Sequence, residues 1–287
     1  MNIDISKYIP NTLVAAPGER DLADKLNPFI SLAMVWFEKY FCALAILKEE
    51  GSEEENDKSA SVNVRSSAYE LAMRIICAEA YRQAVPQLDL VLTANGFATV
   101  DSKNVVPASK ARTDRLLEGL LQYRDDNIIA LLYVLPQVAE WIDTAQAQFF
   151  SNSLFNNPEQ TRYLELKELS SLPGSSWEKY LALLPYISDA ENSLADEWFS
   201  PELMKALRLE ALAGSSSDMR SAVILRIKSQ IAEFFKSGSF KSRALGDILN
   251  IIRKHPAVFP EWIASETSAN FFPPVFKNKK SDTAYFF

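Results

Sequence analysis

The chain has 287 residues, a net charge of −7 and an apolar share of 48%. This length suits one large domain or two ordinary ones, and the apolar share allows a substantial core. The acidic balance argues against a nucleic-acid surface covering the whole protein, because phosphate binding depends on Lys and Arg. Glycine occurs only 8 times, which disfavours phosphate-cradling loops and many-turned sheets and favours helices.

Apolar periodicity predicts a mainly α, multi-helix bundle with a small β-hairpin near residues 90–101. The first helix is expected to open at Pro28 and run to about Lys48. The second is predicted at 66–85, before Pro86, because a proline disfavours helix in the residue that precedes it.

The third helix is expected to start from a cap at Ser109 and to end near Tyr123. The polar run after it predicts a break, with Asp125 or Asp126 capping a fourth helix. Pro136 predicts either a kink in that fourth helix or the junction of two helices.

The composition turns polar from residue 151 to 176, which predicts a boundary between two helical halves, 1–157 and 158–287. In the second half, Ser200 and Pro201 predict a helix start and Gly214 its end. Further helices are predicted from the serine run at 215–217 to Gly238, and over 241–254. The similar order of helices in the two halves suggests a degenerate duplication.

The stretch LTANGFATVDSKNVVPAS, residues 92–109, alternates apolar and polar side chains. A two-residue Asn95-Gly96 turn would place Leu92 opposite Thr99, and this dipeptide is a strong hairpin signal. In the alternative, a helix ends here with Asn95 and Gly96 as its C-terminal cap. The alternation and the β-branched residues favour the hairpin.

Chemical motifs are sparse. His255 is the single histidine and precedes Pro256, so a helix-end cation explains it better than a catalytic triad or a zinc site. The glycines form neither a G-x-G-x-x-G nor a Walker loop. We therefore assign no catalytic, cofactor or metal residues and do not expect an enzyme.

Location follows from three weaker signals. Cys42 and Cys77 fall in apolar helical segments, which predicts buried thiols in a reducing compartment. The N-terminal residues do not resemble a secretion signal. The apolar stretch 29–47 has Glu38 and Lys39 at its centre, where charge is costly in a bilayer. A cytoplasmic protein outside the membrane is expected.

Two groups of residues are candidates for binding partners. The aromatic tail 271–287, ending in Tyr285, Phe286 and Phe287, predicts docking on the protein itself or on a neighbour. Clustered cations make the C-terminal half locally basic, a weak signal for nucleic acid. These cations are Lys236, Lys241, Arg243, Arg253 and Lys254.

The order of residues around the hairpin also carries a family resemblance. The pattern comprises Leu88-x-Leu90, Thr93-x-Asn95-Gly96-Phe97 and Pro107-Ala108-Ser109, followed by Arg112 and Leu116. It resembles an uncharacterised family of prophage-encoded proteins, and the closing stretch 276–287 is similar to that family's C-terminal end. Members are regarded as virion structural or head–tail connector components. The resemblance implies a role in assembly and brings no catalytic residue with it.

The combined expectation is a non-enzymatic structural or assembly protein of a prophage-like element that acts by protein–protein association. It would be cytoplasmic, and virion-associated when the prophage is expressed. The predicted contacts are the hairpin tip (Asn95, Gly96, Phe97) and the tail aromatics (Tyr285, Phe286, Phe287). The alternative is a helical adaptor or regulator that binds nucleic acid or protein through the basic C-terminal half.

Overall fold

The computed structural model describes residues 7–10, 22–48, 59–88, 90–93, 96–99, 109–164 and 174–273. These residues form a mainly α, multi-helix protein, as the periodicity predicted. Their contacts divide them into two compact units. The first contains the described residues up to Phe150 together with Phe155–Arg162 and 174–183, and the second contains Ser151–Leu154, 163–164 and 184–273.

The first helices in chain order differ widely in length. They are α1 (Leu22–Tyr40), α2 (Leu44–Leu47), α3 (Ser59–Leu88), α4 (Lys110–Val134), α5 (Ala139–Ile142), α6 (Ala145–Ser151) and α7 (Pro158–Thr161). α8 follows at Ser176–Leu194, and the division between the two units falls inside it, after Leu183.

A π-helix, Ala195–Phe199, continues directly from α8. The remaining helices are α9 (Pro201–Ala213), α10 (Asp218–Ser237), α11 (Ser242–Lys254), α12 (Pro260–Ile263) and α13 (Glu266–Phe271). The division into halves 1–157 and 158–287 stays a prediction.

α3 is the central helix of the first unit and packs along both α1 and α4. Every residue from Ile75 to Tyr81 is buried, so this part of the helix is covered on all sides. Small buried side chains such as Ala72, Ala80 and Ala84 let the neighbouring helices approach closely.

Several predicted helix boundaries in the first unit are wrong. α3 spans Ser59–Leu88 rather than 66–85. α1 ends at Tyr40 rather than near Lys48, and Ala43 is extended before α2 begins. α4 runs without interruption through Asp125 and Asp126, so the predicted third and fourth helices are one. The Asp125 carboxylate bonds other parts of the unit instead of its own helix backbone, so it does not break the helix.

The prolines behave differently from one another. Pro28 lies inside α1 rather than opening it, and Pro86 lies in the last turn of α3. Pro136 falls in a 3₁₀ turn, Leu135–Gln137, directly after α4. It therefore marks a junction between helices, one of the two predicted outcomes.

Two short antiparallel strands follow α3, β1 (Leu90–Thr93) and β2 (Gly96–Thr99). Their register differs from the expected one, because Thr93 pairs with Gly96 and Leu92 pairs with Phe97. Gly96 therefore belongs to β2. The predicted Leu92–Thr99 pair is wrong by two positions along the second strand.

The predicted helix ends of the second half are confirmed. Ser200 accepts a hydrogen bond from the Leu203 amide, and Pro201 occupies the first turn of α9. Gly214 ends α9 and Gly238 ends α10, both in the left-handed conformation that glycine adopts at low cost.

Part of the polar stretch after residue 151 is buried, namely residues 153–158. Ser153 is 4% exposed and Asn157 1% exposed. Asn157 caps α7 by accepting from the Glu159 amide, and it donates to the Ile129 carbonyl. Polarity alone suggested a surface connection, but these side chains satisfy buried backbone groups.

Cys42 and Cys77 are buried free thiols, as predicted. Burial, reinforced by the nearby charge of Glu38, raises the pKa of the Cys42 thiol to about 12. Cys42 therefore stays protonated and unreactive at neutral pH.

Ser200 provides a test of local strain. It is fully buried, with φ 63° and ψ 146°, a region that is strained for residues other than glycine. Ser200→Gly relieves the strain and weakens the cap only slightly, so we expect stability at or above that of the wild type. Ser200→Ala keeps the strain and loses the cap, which should cost about 1 kcal/mol. Urea unfolding monitored by circular dichroism measures both, and an alanine variant as stable as the glycine variant would contradict this account.

Candidate functional site

Arg124 is a charged residue inside the core of the first unit. Its relative exposure is 1%, and it lies on α4 next to Asp125, which is 3% exposed. A guanidinium at this depth has lost its water and needs protein partners on every side.

The guanidinium has partners on four helices, α1, α3, α4 and α8. Nη1 donates to Glu79 Oε2 on α3 at 2.7 Å, and Nη2 donates to Asp125 Oδ1 at 2.8 Å. Nη2 also bonds Glu178 Oε1 on α8 at 3.0 Å. Its carbon lies 5.4 Å from the ring centre of Trp36 on α1, a cation–π distance. We call Arg124, Glu79, Asp125 and Glu178 the Arg124 cluster.

Glu79 has a second set of donors. Arg82 donates to both of its oxygens, at 2.9 and 2.6 Å, and Gln83 donates at 2.8 Å. Burial alone raises the pKa of Glu79, but these hydrogen bonds and the charge of Arg124 outweigh it and hold the pKa below its ordinary value. The carboxylate is therefore charged at neutral pH.

The start of α8 is fixed by the same cluster. The Ser175 amide donates to Glu178 Oε2 at 2.7 Å, and the Glu178 amide donates to Ser175 Oγ at 3.4 Å, a capping box. Asp125 Oδ2 accepts from the Trp177 amide and the Ser176 hydroxyl, both at 2.9 Å. Asp125 is thus a helix cap, as its residue type suggested, but for α8.

The Arg124 cluster is built to hold helices together. Burial lowers the pKa of Arg124, but the charges of Asp125 and Glu79 reverse that effect, so the guanidinium stays charged. Burial also opposes ionisation of Glu178, yet the Ser175 hydrogen bonds and the Arg124 charge keep its pKa low. Groups locked in their charged forms make a structural network.

A cleft of 520 Å³ opens beside the cluster, between α4 and the start of α8. Its lining includes Asp114, Glu118 and Asp126, with Arg162 and Ser176 also at its edge. Burial and the Asp125 charge raise the pKa of Asp126, while the Arg162 charge opposes them. Acidic walls alone do not define a ligand. Across the described ranges, no group of three or more His, Cys, Asp or Glu residues is placed to hold a metal ion.

The outer face of α1 is apolar and open. Leu32 is 59% exposed and Val35 69% exposed, and the neighbouring Phe29 and Trp36 are half-buried. We call these four residues the α1 face. The opposite side of the same helix is buried through Leu26, Ile30, Ala33 and Phe37, all at 0–2% exposure.

The predicted contact residues are only partly described. Gly96 and Phe97 are in β2, paired with Thr93 and Leu92. Asn95, Tyr285, Phe286 and Phe287 lie outside the described residues.

The beginning of the tail packs on the second unit. The rings of Phe271 and Trp198 are 5.5 Å apart, and those of Phe272 and Trp262 are 6.0 Å apart. Arg253 lies 4.3 Å from the Phe272 ring centre. Both phenylalanines remain 39% exposed, so the packing covers only part of each ring.

The five predicted cations do not form one patch. Lys236, Lys241 and Arg243 flank the connection between α10 and α11. Arg253 and Lys254 are in the last turn of α11. Arg253 is about 15 Å from Arg243 along the helix axis. His255 follows as the C-terminal cap residue of that helix.

The second unit has its own buried carboxylate, Glu191. It accepts from Ser153 Oγ and the Leu154 amide at 2.9 Å, and from Arg208 Nε at 2.7 Å. Burial raises its pKa although Arg208 opposes the shift. Burial also lowers the pKa of Lys228 to about 8, against the charge of Glu191.

Arg220 occupies a position in the second unit like that of Arg124 in the first. It is 7% exposed and donates to Glu210 on α9 at 2.7 Å and to Glu261 on α12 at 3.2 Å. It also bonds the Val258 carbonyl at 2.7 Å and lies over the Phe259 ring.

A family of unknown function, DUF6712, matches residues 36–151. The match includes Glu79, Arg124 and Asp125 and stops before Glu178. The family description supplies no activity. No significant match was found among curated proteins, and none among solved structures.

Sequence reasoning missed the Arg124 cluster, although one signal for it was present. Ser175 and Glu178 have the S-x-x-E spacing of a capping box, which predicts the start of α8. The pairing of Arg124 with Glu79 joins residues 45 positions apart and has no local signature.

Loss of the central cation should destabilise the protein strongly. Arg124→Met keeps much of the side-chain volume but leaves buried carboxylates without their partner, so we expect a loss of about 3–5 kcal/mol in the free energy of unfolding. Arg74→Met is the control, because its pair with Glu70 is exposed and 3.5 Å long. That change should cost less than about 1 kcal/mol. Urea unfolding compares the two, and similar losses would contradict a central role for Arg124.

Acid should weaken the cluster in a defined pH range. Glu79 and Glu178 have lowered pKa values when folded, so their contribution is complete above the unfolded value of about 4.3 and is lost as pH falls through the folded values. Glu79→Gln should be less stable than wild type at neutral pH. The difference in the free energy of unfolding between the two should become smaller below about pH 4. Unfolding free energies measured across this range test it, with the exposed Glu70→Gln as control. A difference in unfolding free energy that does not change with pH would exclude a link between Glu79 protonation and stability.

Proposed function

We propose that this protein acts by protein–protein association, as a structural or assembly component of a phage particle encoded by a prophage-like element. The α1 face carries the proposal. Contiguous exposed apolar side chains are costly in water and mark interaction surfaces when they exceed isolated residues.

The surroundings of the α1 face support a docking role. Four buried residues anchor the other side of α1, and Trp36 joins its outer side to the Arg124 cation. The helix is therefore held in place by the core, and a partner would meet a preformed surface. Preorganisation of this kind reduces the entropy lost on binding.

The hairpin tip and the tail remain proposed additional contacts. Asn95, Gly96 and Phe97 would act at the tip, and Tyr285, Phe286 and Phe287 at the end of the tail. Phe271 and Phe272 pack on the second unit, so a deletion that tests the tail should leave them in place. A deletion of 274–287 removes the terminal aromatics and leaves both packed rings in place.

Incorporation into particles tests the proposal. In cells that carry the gene in an inducible prophage, particles purified after induction should contain the wild-type protein, measured by quantitative mass spectrometry. Leu32→Glu combined with Val35→Glu should reduce incorporation at least tenfold, because two charges would be buried at the interface. The 274–287 deletion should reduce it by a smaller factor.

The matched control places the same charges on the second unit. Leu209 and Leu225 are 47% and 67% exposed, so Leu209→Glu with Leu225→Glu changes net charge and surface hydrophobicity equally. This variant should incorporate normally, with folding of all variants checked by circular dichroism. Absence of the wild-type protein from particles would overturn the assembly role. Equal incorporation of all variants would exclude the α1 face as the contact.

A further inference from the structure

The turn between α10 and α11 brings aromatic rings and cations together. Phe234 and Phe240 are stacked with ring centres 4.6 Å apart and planes at 20°. Phe235 meets Phe234 edge-on at 6.4 Å. All three rings are half-buried, so each keeps part of its surface open to solvent. We call residues 234–243 the aromatic–basic turn.

Three cations flank these rings. Lys236, Lys241 and Arg243 are exposed. Lys241 Nζ pairs with Glu233 Oε1 at 2.7 Å, and its side chain is still 62% exposed. An exposed pair of this kind exchanges readily for another anion, because water and salt weaken it.

The start of α11 adds to the positive field. Its first turn contains no acidic residue, and Lys241 at the N-cap makes no side-chain hydrogen bond to the helix. The partial positive charge of a helix N-terminus therefore adds to the charges of Lys241 and Arg243. Rings, cations and helix end all lie within ten residues of one another.

We propose that the aromatic–basic turn binds single-stranded nucleic acid. The solvent-exposed parts of the phenylalanine rings would stack on unpaired bases, and the three cations would contact the phosphates on either side. This goes beyond the assembly role, and it uses a different surface from the α1 face.

The chemistry favours a single strand over the other anionic partners. Aromatic rings can stack only on bases that are not already stacked in a duplex. Three cations are also few for a duplex-binding surface, on a protein whose net charge is −7. An acidic peptide would match the cations but would offer no planar faces to the rings.

Fluorescence anisotropy with a labelled oligothymidylate and the full-length chain tests the proposal. The wild type should bind at low salt, and log affinity should fall against log salt concentration with a slope of about −2, as expected for three contacts to a single strand. The measurement spans about 50 to 200 mM NaCl, where this slope is well determined.

Two variants separate the contributions. Lys236→Ala with Lys241→Ala and Arg243→Ala should lower the affinity at least tenfold and bring the slope close to zero. Phe240→Leu keeps an apolar side chain but removes the ring, so it should weaken binding about fivefold or more with an unchanged slope.

The control removes the same charge elsewhere in the second unit. Lys205, Arg226 and Lys254 are exposed and lie outside the turn, so their triple alanine variant should bind like the wild type. No wild-type binding at low salt, or an equal loss in the control, would overturn the proposal. Tighter binding of polyglutamate than of oligothymidylate, with the same sensitivity to the turn variants, would assign the turn to an acidic protein partner instead.

Discussion

The packing of the first unit depends on one desolvated cation. Arg124 cannot reach water, so α3, α4 and α8 have to bring their carboxylates and α1 its indole to the same point. Leaving Arg124, Glu79 or Asp125 unpaired in the core would cost more than the pair itself contributes. The arrangement therefore joins four helices at one point of the core. Arg220 serves the second unit similarly, with carboxylates from α9 and α12.

The Arg124 cluster joins helices, whereas the candidate binding surfaces lie elsewhere on the protein. Hydrogen bonds and the Arg124 charge hold the pKa values of Glu79 and Glu178 below their ordinary values, which suits packing better than proton transfer. The outer side of α1 keeps Leu32 and Val35 in water, and the aromatic–basic turn carries exposed cations and half-buried aromatic rings. These two surfaces are the ones on which the proposed association and the proposed nucleic-acid binding rest.

The sequence predicted features that depend on neighbouring residues. The mainly α fold, the cap at Ser200 and the glycine stops at Gly214 and Gly238 follow from local backbone chemistry. The same local rules misjudged Asp125, because its polarity suggested a break in α4. They also misplaced the strand register, since Asn-Gly is compatible with more than one turn position.

The sequence by itself determined the mainly α character, the cap at Ser200, the glycine stops at Gly214 and Gly238, and the aromatic and basic character of the C-terminal half. These properties depend on periodicity and on hydrogen bonds that span only a few residues. Only the tertiary structure decided that Glu79, Arg124 and Glu178 meet, that five cations separate into two groups, and that one side of α1 stays open. Those outcomes depend on which segments, distant in the sequence, are buried against one another. A linear pattern does not encode that pairing.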